Sequence, residues 1–194
     1  MALLADRLSD GAIELRRSSL DEMDQVLDAV DESWTELHNW LYSFREPVNR
    51  ESYVAATRDD IRCFDEDQDW RYHVIDLQDG AFVGMANLYR LSGPERVAIG
   101  YWVRTSRTRR GYASRSTRLL VDTAFSVPTF QVVEISMDVT NLASARVAEK
   151  LGFRRVAEFT RDIRVPGHSG RGALWEMTRP DWTLMCATPK TSDG

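Results

Sequence analysis

Two periodicities divide the chain into helical and extended segments. Apolar residues that recur every three or four positions predict helices over residues 20–30, 34–41 and 49–64. Alternating apolar and polar residues then predict strands over 12–17, 70–77, 81–89 and 97–104. The pair Asp79-Gly80 between two of these strands is typical of a hairpin turn. The first half therefore predicts helices followed by a three-stranded antiparallel meander.

The second half alternates between the two kinds of element. The predicted order is a helix over 111–126, then a strand, a helix and two strands over 131–139, 141–151, 152–161 and 172–178. A meander followed by this alternation predicts an α/β fold with a mixed sheet rather than a repeating parallel array. We expect one domain over residues 12–182, with flexible segments at 1–11 and 183–194.

Composition narrows the class of protein. Hydrophobic residues make up 43% of the 194 positions and charged residues 28%, which excludes wholesale disorder. The chain begins without a signal-like apolar run, and no later segment is long and apolar enough to span a membrane. The two cysteines, Cys63 and Cys186, are far apart and have no metal-binding spacing. These features predict a cytoplasmic protein without a disulfide framework, bound metal or membrane contact.

Charge is distributed unevenly along a chain whose formal net charge is −5. Seven arginines and no other charged residue occur between Arg96 and Val121. Such an arginine-rich segment favours a small polyanionic ligand or, alternatively, a solvated basic face. Because the whole chain is acidic and few aromatics accompany these arginines, we expect no nucleic-acid binding. An acidic cluster is interpreted as a solvated helix end; its members are Asp59, Asp60, Asp65, Glu66, Asp67 and Asp69.

A candidate anion site lies inside the arginine-rich segment. A predicted strand ends near Arg104, and a loop leads to Gly111, where the next helix begins. The first turn of a helix has unsatisfied N–H groups and a partial positive charge, so it attracts anions. Gly111 and Ala113 are small enough for a phosphate to approach the backbone. An ordinary strand-to-helix turn with a glycine is the alternative, and this short pattern does not exclude it.

Three motifs together resemble the GNAT acetyltransferase superfamily. They are Gly111-Tyr112-Ala113, Asn141-x-x-Ser144 and the run Glu149-Lys150-Leu151-Gly152-Phe153. The similarity is closest to the branch that acetylates the N-termini of ribosomal proteins, and it covers residues 12–182. The resemblance implies a single α/β (α+β) domain, with a mixed, mostly antiparallel central sheet of about seven strands flanked by helices.

The resemblance also implies acetyl-coenzyme A as cosubstrate, with no metal. Pyrophosphate would be held by backbone amides, and the residues concerned are Arg109, Arg110, Gly111, Tyr112, Ala113 and Ser114. The pantetheine arm would lie along Trp102 and Val103 and contact Asn141. The backbone N–H of Val103 would donate to the oxyanion.

The residues that would carry the chemistry are less clearly marked. Many family members have a tyrosine as general acid where this chain has Ala148. The resemblance implies that Ser144 instead donates a hydrogen bond to the departing thiolate, although Ser144 could simply cap a helix. Glu134 is the first candidate for accepting the amine proton through water, and Glu176 is the second. A solvent-facing strand carboxylate is the alternative for both.

The resemblance leaves the acceptor open. Acetyl transfer to the N-terminal α-amine of a protein or peptide is the first interpretation. Transfer to a small-molecule amine such as an antibiotic or a polyamine is the second, and the acidic cluster at 59–69 favours a cationic acceptor of that kind. A catalytically silent coenzyme A-binding interaction module is the third, since the family's tyrosine is missing. The branch resembled also makes a homodimer possible.

Overall fold

Eight strands form a single sheet in the computed structural model, which describes residues 3–187. Their spatial order is β1-β2-β3-β4-β5-β6-β8-β7. In chain order the strands are β1 (Arg7–Ser9), β2 (Ile13–Arg17), β3 (Asp69–Asp76), β4 (Phe82–Arg90), β5 (Arg96–Val103), β6 (Val132–Asp138), β7 (Arg154–Thr160) and β8 (Arg171–Thr178). All neighbouring pairs are antiparallel except β5 and β6. The predicted mixed, mostly antiparallel sheet is confirmed, with eight strands instead of about seven.

The helices follow the predicted order. They are α1 (Met23–Glu32), α2 (Trp34–Trp40), α3 (Arg50–Asp65), α4 (Tyr112–Ser126), α5 (Leu142–Lys150) and α6 (Arg179–Ala187), and 3-10 turns lie at Tyr42–Phe44 and Thr105–Arg107. No helix within residues 3–187 is long and apolar enough to cross a membrane.

Two hydrophobic clusters cover the two faces of the sheet. The larger joins α4 and α5 to one face and includes Leu120, Val133 and Ile135. The smaller joins α1, α2 and α3 to the other face and includes Val26 of α1 and Met85 of β4. Successive strand residues point to opposite faces, so each of β3, β4 and β5 contributes to both clusters. The sheet is thus a middle layer with helices on each side.

The one parallel pair among the described strands ends early. β5 and β6 are in register over Arg96–Ala98 and Val132–Glu134, and the rest of β5 has no partner on that edge. The remaining half of β5, up to Val103, stays paired with β4 alone. A gap therefore opens between β5 and β6 toward their carboxyl ends, and α4 and α5 begin beside it.

The N-terminal segment predicted to be flexible includes a strand. β1 pairs with β2, Leu4 is buried, and the Tyr72 hydroxyl donates to the carbonyl of Ala5 at 3.0 Å. The prediction is therefore wrong for these residues of the segment 1–11. Three residues are too few to give a periodic signal in the sequence. The segment becomes a strand because it pairs with the otherwise open edge of β2.

The C-terminal segment predicted to be flexible is partly helical. α6 extends from Arg179 to Ala187, and its start is capped by Thr178 and Asp181, whose side chains bond at 2.6 Å. The Trp182 indole donates to Asp122 of α4 at 2.8 Å, which fixes the helix to the rest of the domain. The prediction is therefore wrong for 183–187, while 188–194 lie outside the described residues.

Candidate active site

The gap between β5 and β6 leaves backbone donors of β5 without a partner strand. Arg104 N–H donates to Val83 of β4 at 2.8 Å. Because successive N–H groups of a strand point to opposite edges, the N–H of Val103 points toward the gap. The Trp102 ring lies on the other face, edge-on to Phe44 at 6.2 Å, and belongs to the cluster formed with α1 and α2. The end of β5 thus combines a free amide edge with an aromatic side chain facing away from α4.

The turn before α4 has an unusual backbone. Arg109 has a φ of 62° and Gly111, the N-cap residue, a φ of 85°. Positive φ is uncommon outside glycine, so the Arg109 conformation carries a cost of about 1 kcal/mol or more. No side chain caps this helix, and the N–H groups of Tyr112, Ala113 and Ser114 have no acceptor among residues 3–187. Several unsatisfied N–H donors therefore point in the same direction, out of the N-terminal end of α4.

Side chains around the turn hold it in place. Tyr112 is 8% exposed, and its hydroxyl donates to Asp76 at the end of β3. Arg107 pairs with Asp79 at 2.7 Å and lies 3.5 Å from Asp76. The Tyr112 side chain therefore anchors the helix in the core, and only its backbone N–H is available to a ligand.

The arginine-rich segment divides into two groups. Five of the seven arginines lie within ion-pair distance of carboxylates: Arg96 of Glu134 and Glu176, Arg104 of Glu32, Arg107 of Asp76 and Asp79, Arg115 of Asp10, and Arg118 of Asp122 at 4.0 Å. Arg109 and Arg110 are exposed and make no ion pair within the described part of the chain. The free positive charge thus lies at the turn itself.

This donor set fits a diphosphate. Converging backbone N–H groups, a helix N-terminus and unpaired guanidinium groups are the features that bind phosphate oxygens in proteins. Within residues 3–187 no group of three or more His, Cys, Asp or Glu side chains could hold a metal ion.

The first turn of α5 presents the predicted serine. The Asn141 side chain accepts from the N–H of Ser144 at 3.1 Å, so Asn141 caps this helix. The Ser144 hydroxyl makes no hydrogen bond among the described residues and is partly exposed. Capping thus falls to Asn141, which leaves the Ser144 hydroxyl available to another group.

Tyr101 connects the two sides of the gap, which the sequence analysis did not foresee. Its hydroxyl donates to the carbonyl of Ser144 at 3.4 Å. Burial raises the pKa of Tyr101 to about 12, although the contact with Ser144 opposes this, so the group stays a neutral donor. Tyr101 therefore positions the start of α5 against β5. A tyrosine among alternating strand residues gives no sequence signal of such a contact.

Glu134 and Glu176 are directly opposite each other in β6 and β8. Arg96 binds both carboxylates, and the Glu134 and Glu176 side chains are only 12% and 18% exposed. Glu134 pairs with Ala98 of β5. Ala98 lies four residues before Trp102, so the two are separated by about 13 Å along the strand. The structure gives Glu134 a bonded structural role and does not bring it close to the end of β5. Its catalytic role stays a prediction.

The acidic cluster at 59–69 is not a uniform helix end. Asp60 and Asp69 turn inward, and Arg71 bridges them at 2.8 and 3.5 Å. Burial raises the pKa of both carboxyl groups, although Arg71 opposes it. Asp59, Asp65 and Glu66 remain on the surface, whereas Asp67 is partly buried and accepts from the Trp70 indole at 3.3 Å. The interpretation as a solvated helix end is therefore wrong for Asp60 and Asp69.

Asn87 extends this polar network toward β5. Its amide donates to Asp69 at 3.3 Å, and its oxygen would be only 2.6 Å from a Cβ at residue 100. A side chain at position 100 would therefore displace the Asn87 amide. We call Asp60, Asp69, Arg71 and Asn87, together with Arg96, Glu134 and Glu176, the carboxylate row. It lies on the face of the sheet opposite α4.

A family model described as "Acetyltransferase (GNAT) domain" matches residues 13–154. The chain is 24% identical over 179 residues to YdaF of Bacillus subtilis (strain 168), whose name places it among ribosomal N-acetyltransferases; the match covers 88% of this chain and 93% of YdaF.

Solved structures show the same fold. RimL, a ribosomal L7/L12 α-N-protein acetyltransferase in complex with coenzyme A, superposes with a TM-score of 0.82 at 16% identity, over 90% of this chain and 99% of RimL. Mycobacterium smegmatis RimJ in complex with CoA-disulfide has a TM-score of 0.76 at 21% identity, covering 90% of this chain and 86% of RimJ.

Proposed function

The chain belongs to the GNAT acetyltransferase family, and on that premise we propose that it transfers an acetyl group from acetyl-coenzyme A directly to the N-terminal α-amine of a protein or peptide. The observation that carries this proposal is the uncapped start of α4 beside the gap between β5 and β6. There, unsatisfied N–H groups lie at the same turn as two exposed arginines that make no ion pair within the described residues. The similarity to YdaF supports the choice of acceptor.

In this proposal the first turn of α4 holds the diphosphate through the N–H groups of Tyr112, Ala113 and Ser114, with Gly111 making room and Arg109 and Arg110 adding charge. The backbone of Trp102 and Val103 and the side chain of Asn141 orient the pantetheine arm. The bound cosubstrate supplies an acetyl group activated as a thioester.

Two groups of this chain act on the reacting atoms. The Val103 N–H donates a hydrogen bond to the acetyl oxygen, a kind of contact that contributes about 3–4 kcal/mol in other enzymes. The Ser144 hydroxyl donates to the departing sulfur. A thiol has a pKa of about 8.5, so its thiolate needs little stabilisation at neutral pH and a serine suffices.

The amine itself favours an N-terminal acceptor. Deprotonating a lysine side chain at pH 7 costs about 4.6 kcal/mol, whereas an α-amine costs about 1.1 kcal/mol. Since Glu134 and Glu176 are already bound by Arg96, a site with little free basic capacity is better suited to the α-amine.

A second candidate function has its own supporting observation. The carboxylate row contains four carboxylates, Asp60, Asp69, Glu134 and Glu176, against two arginines. An excess of negative charge on the face opposite α4 attracts a cationic molecule. This favours a small polyamine-like acceptor.

The decisive experiment measures thiol release from acetyl-coenzyme A over a panel of N-terminal peptides and small amines. We expect turnover with peptides that have a free α-amine and none with the same peptides after N-terminal blocking. Turnover confined to small amines would establish the second candidate. Cosubstrate binding with no turnover would indicate a silent binding module, and the absence of any heat on calorimetric titration with acetyl-coenzyme A would overturn the proposal.

A further inference from the structure

A cavity of about 420 Å³ lies beside the start of α4 and extends beyond the turn itself. One end is formed by Gly111 and Ser114, where the unsatisfied amides lie. The rest of its wall is mainly cationic, and is formed by Arg110, Arg115, Arg118 and Lys150. Asp10 is the one acidic residue in the wall.

The cations come from two helices. Gly111, Ser114, Arg115 and Arg118 are three or four residues apart, so they share one side of α4. With a rise of 1.5 Å per residue, Arg118 is about 10 Å along the helix from Gly111. Lys150 is the last residue of α5. The cavity therefore has two separate places for an anion, one at the backbone amides and one at these side chains.

The second place has an excess of positive charge. Arg115 is paired with Asp10 at 2.6 Å. Although burial raises the pKa of Asp10, backbone N–H donors and Arg115 lower it below its usual value, so Asp10 stays ionised and neutralises that arginine. The one carboxylate near Arg118 among the described residues is Asp122 at 4.0 Å, and its guanidinium also donates to the neutral sulfur of Met185 at 3.4 Å. Lys150 makes no ion pair in the part of the chain that the structure describes.

We propose that Arg118 and Lys150 bind the 3′-phosphate of the coenzyme, so that the protein distinguishes coenzyme A from its 3′-dephospho form. This inference rests on the proposed function, since the diphosphate at the amides brings the ribose of the same molecule to the cavity. A phosphate monoester carries close to two negative charges at pH 7 because its second pKa is about 6. Two separate cations match that charge, and a guanidinium can bind its oxygens bidentately.

The test is calorimetric titration with coenzyme A and with 3′-dephospho-coenzyme A at fixed ionic strength. We expect the unmodified protein to bind coenzyme A at least tenfold more tightly. In the double variant Arg118→Gln/Lys150→Gln this ratio should fall to about one, while the affinity for the dephospho form stays unchanged. Lys150→Gln alone, which removes an exposed side chain without an ion pair, should lower the ratio partly and leave the melting temperature unchanged.

Arg58→Gln serves as the matched control, because it removes one exposed positive charge from α3, outside the cavity. It should leave the ratio unchanged. Equal affinity of the unmodified protein for both compounds would overturn this inference and leave the proposed function intact. Loss of affinity for both compounds in the double variant would also overturn it, since the cations would then act without selecting the 3′-phosphate. Failure of both compounds to bind the unmodified protein would instead count against the proposed function.

Discussion

The two faces of the sheet hold their charged groups in opposite ways. On the α4 side, Arg109 and Arg110 are exposed and make no ion pair, and the N–H groups of Tyr112, Ala113 and Ser114 have no acceptor among residues 3–187. On the other side, the carboxylate row is internally bonded, with Arg71 bridging two aspartates and Arg96 two glutamates. An unsatisfied group is available to a ligand, whereas a paired group must first give up its partner.

The comparison indicates that the turn before α4 is suited to binding a ligand, whereas the carboxylate row is suited to holding strands together. The turn keeps a strained φ at Arg109 and uncapped amides, features that lower stability and are common where a ligand binds. In the carboxylate row, the carboxylates are paired with arginines of the same chain. Asp60 and Asp69 of this row are partly buried, and the burial raises the pKa of both carboxyl groups although Arg71 opposes it.

The largest expected effect is at the turn. Gly111→Val forces a β-branched residue into a positive φ and fills the space over the amides, so we expect the affinity for acetyl-coenzyme A to fall about a hundredfold by calorimetry. Gly93→Val is the matched control, because Gly93 also has a positive φ and open space around its Cβ position. Equal losses of affinity in both variants would show that backbone strain alone, and not the turn, is responsible.

The next effect concerns Ser144. Ser144→Ala should lower kcat about tenfold to a hundredfold, as expected for one charged hydrogen bond, without changing the KM for acetyl-coenzyme A. The melting temperature should not change, because Asn141 rather than the Ser144 hydroxyl caps α5. Ser126→Ala at the exposed end of α4 is the control. Unchanged turnover in Ser144→Ala would remove the serine from the mechanism.

A smaller effect is expected at Glu134 and Glu176, where it distinguishes a role in stability from a role in proton transfer. Glu134→Gln and Glu176→Gln each weaken a charged contact with Arg96, and each should lower the free energy of unfolding by about 1 kcal/mol. We expect the acidic limb of the pH–rate profile to be retained in both variants. Loss of that limb in Glu134→Gln alone would show that Glu134 accepts the proton, as the sequence suggested.

The smallest effect is a pH-dependent change in stability at Asp69. Because burial raises its pKa above 3.8 in the folded state, this carboxyl stabilises the fold most below pH 3.8 and loses that contribution as pH rises through the folded pKa. Asp69→Asn should therefore raise the melting temperature slightly at pH 7 and leave it unchanged below pH 3.8. The exposed Asp59→Asn is the control. A lower melting temperature at pH 7 would show that the bonds from Arg71 and Asn87 outweigh burial.

Much of the fold could be predicted from local patterns. The helix beginning at Gly111 and the strand from Val132 to Asp138 follow from periodicities that depend only on which residues are apolar. Segments whose order comes from distant partners were missed. β1 needs the edge of β2, and α6 is fixed by the contact between Trp182 and Asp122.

The candidate site shows the same division. The sequence by itself determined the family motifs, the glycine at the start of α4 and the order of the elements, because these depend on residues close together along the chain. Only the tertiary structure decided which arginines lack an ion pair, that Asn141 rather than Ser144 caps α5, and that Asp60 and Asp69 are partly buried. The physical reason is that pairing and burial depend on neighbours that folding brings together from distant parts of the chain.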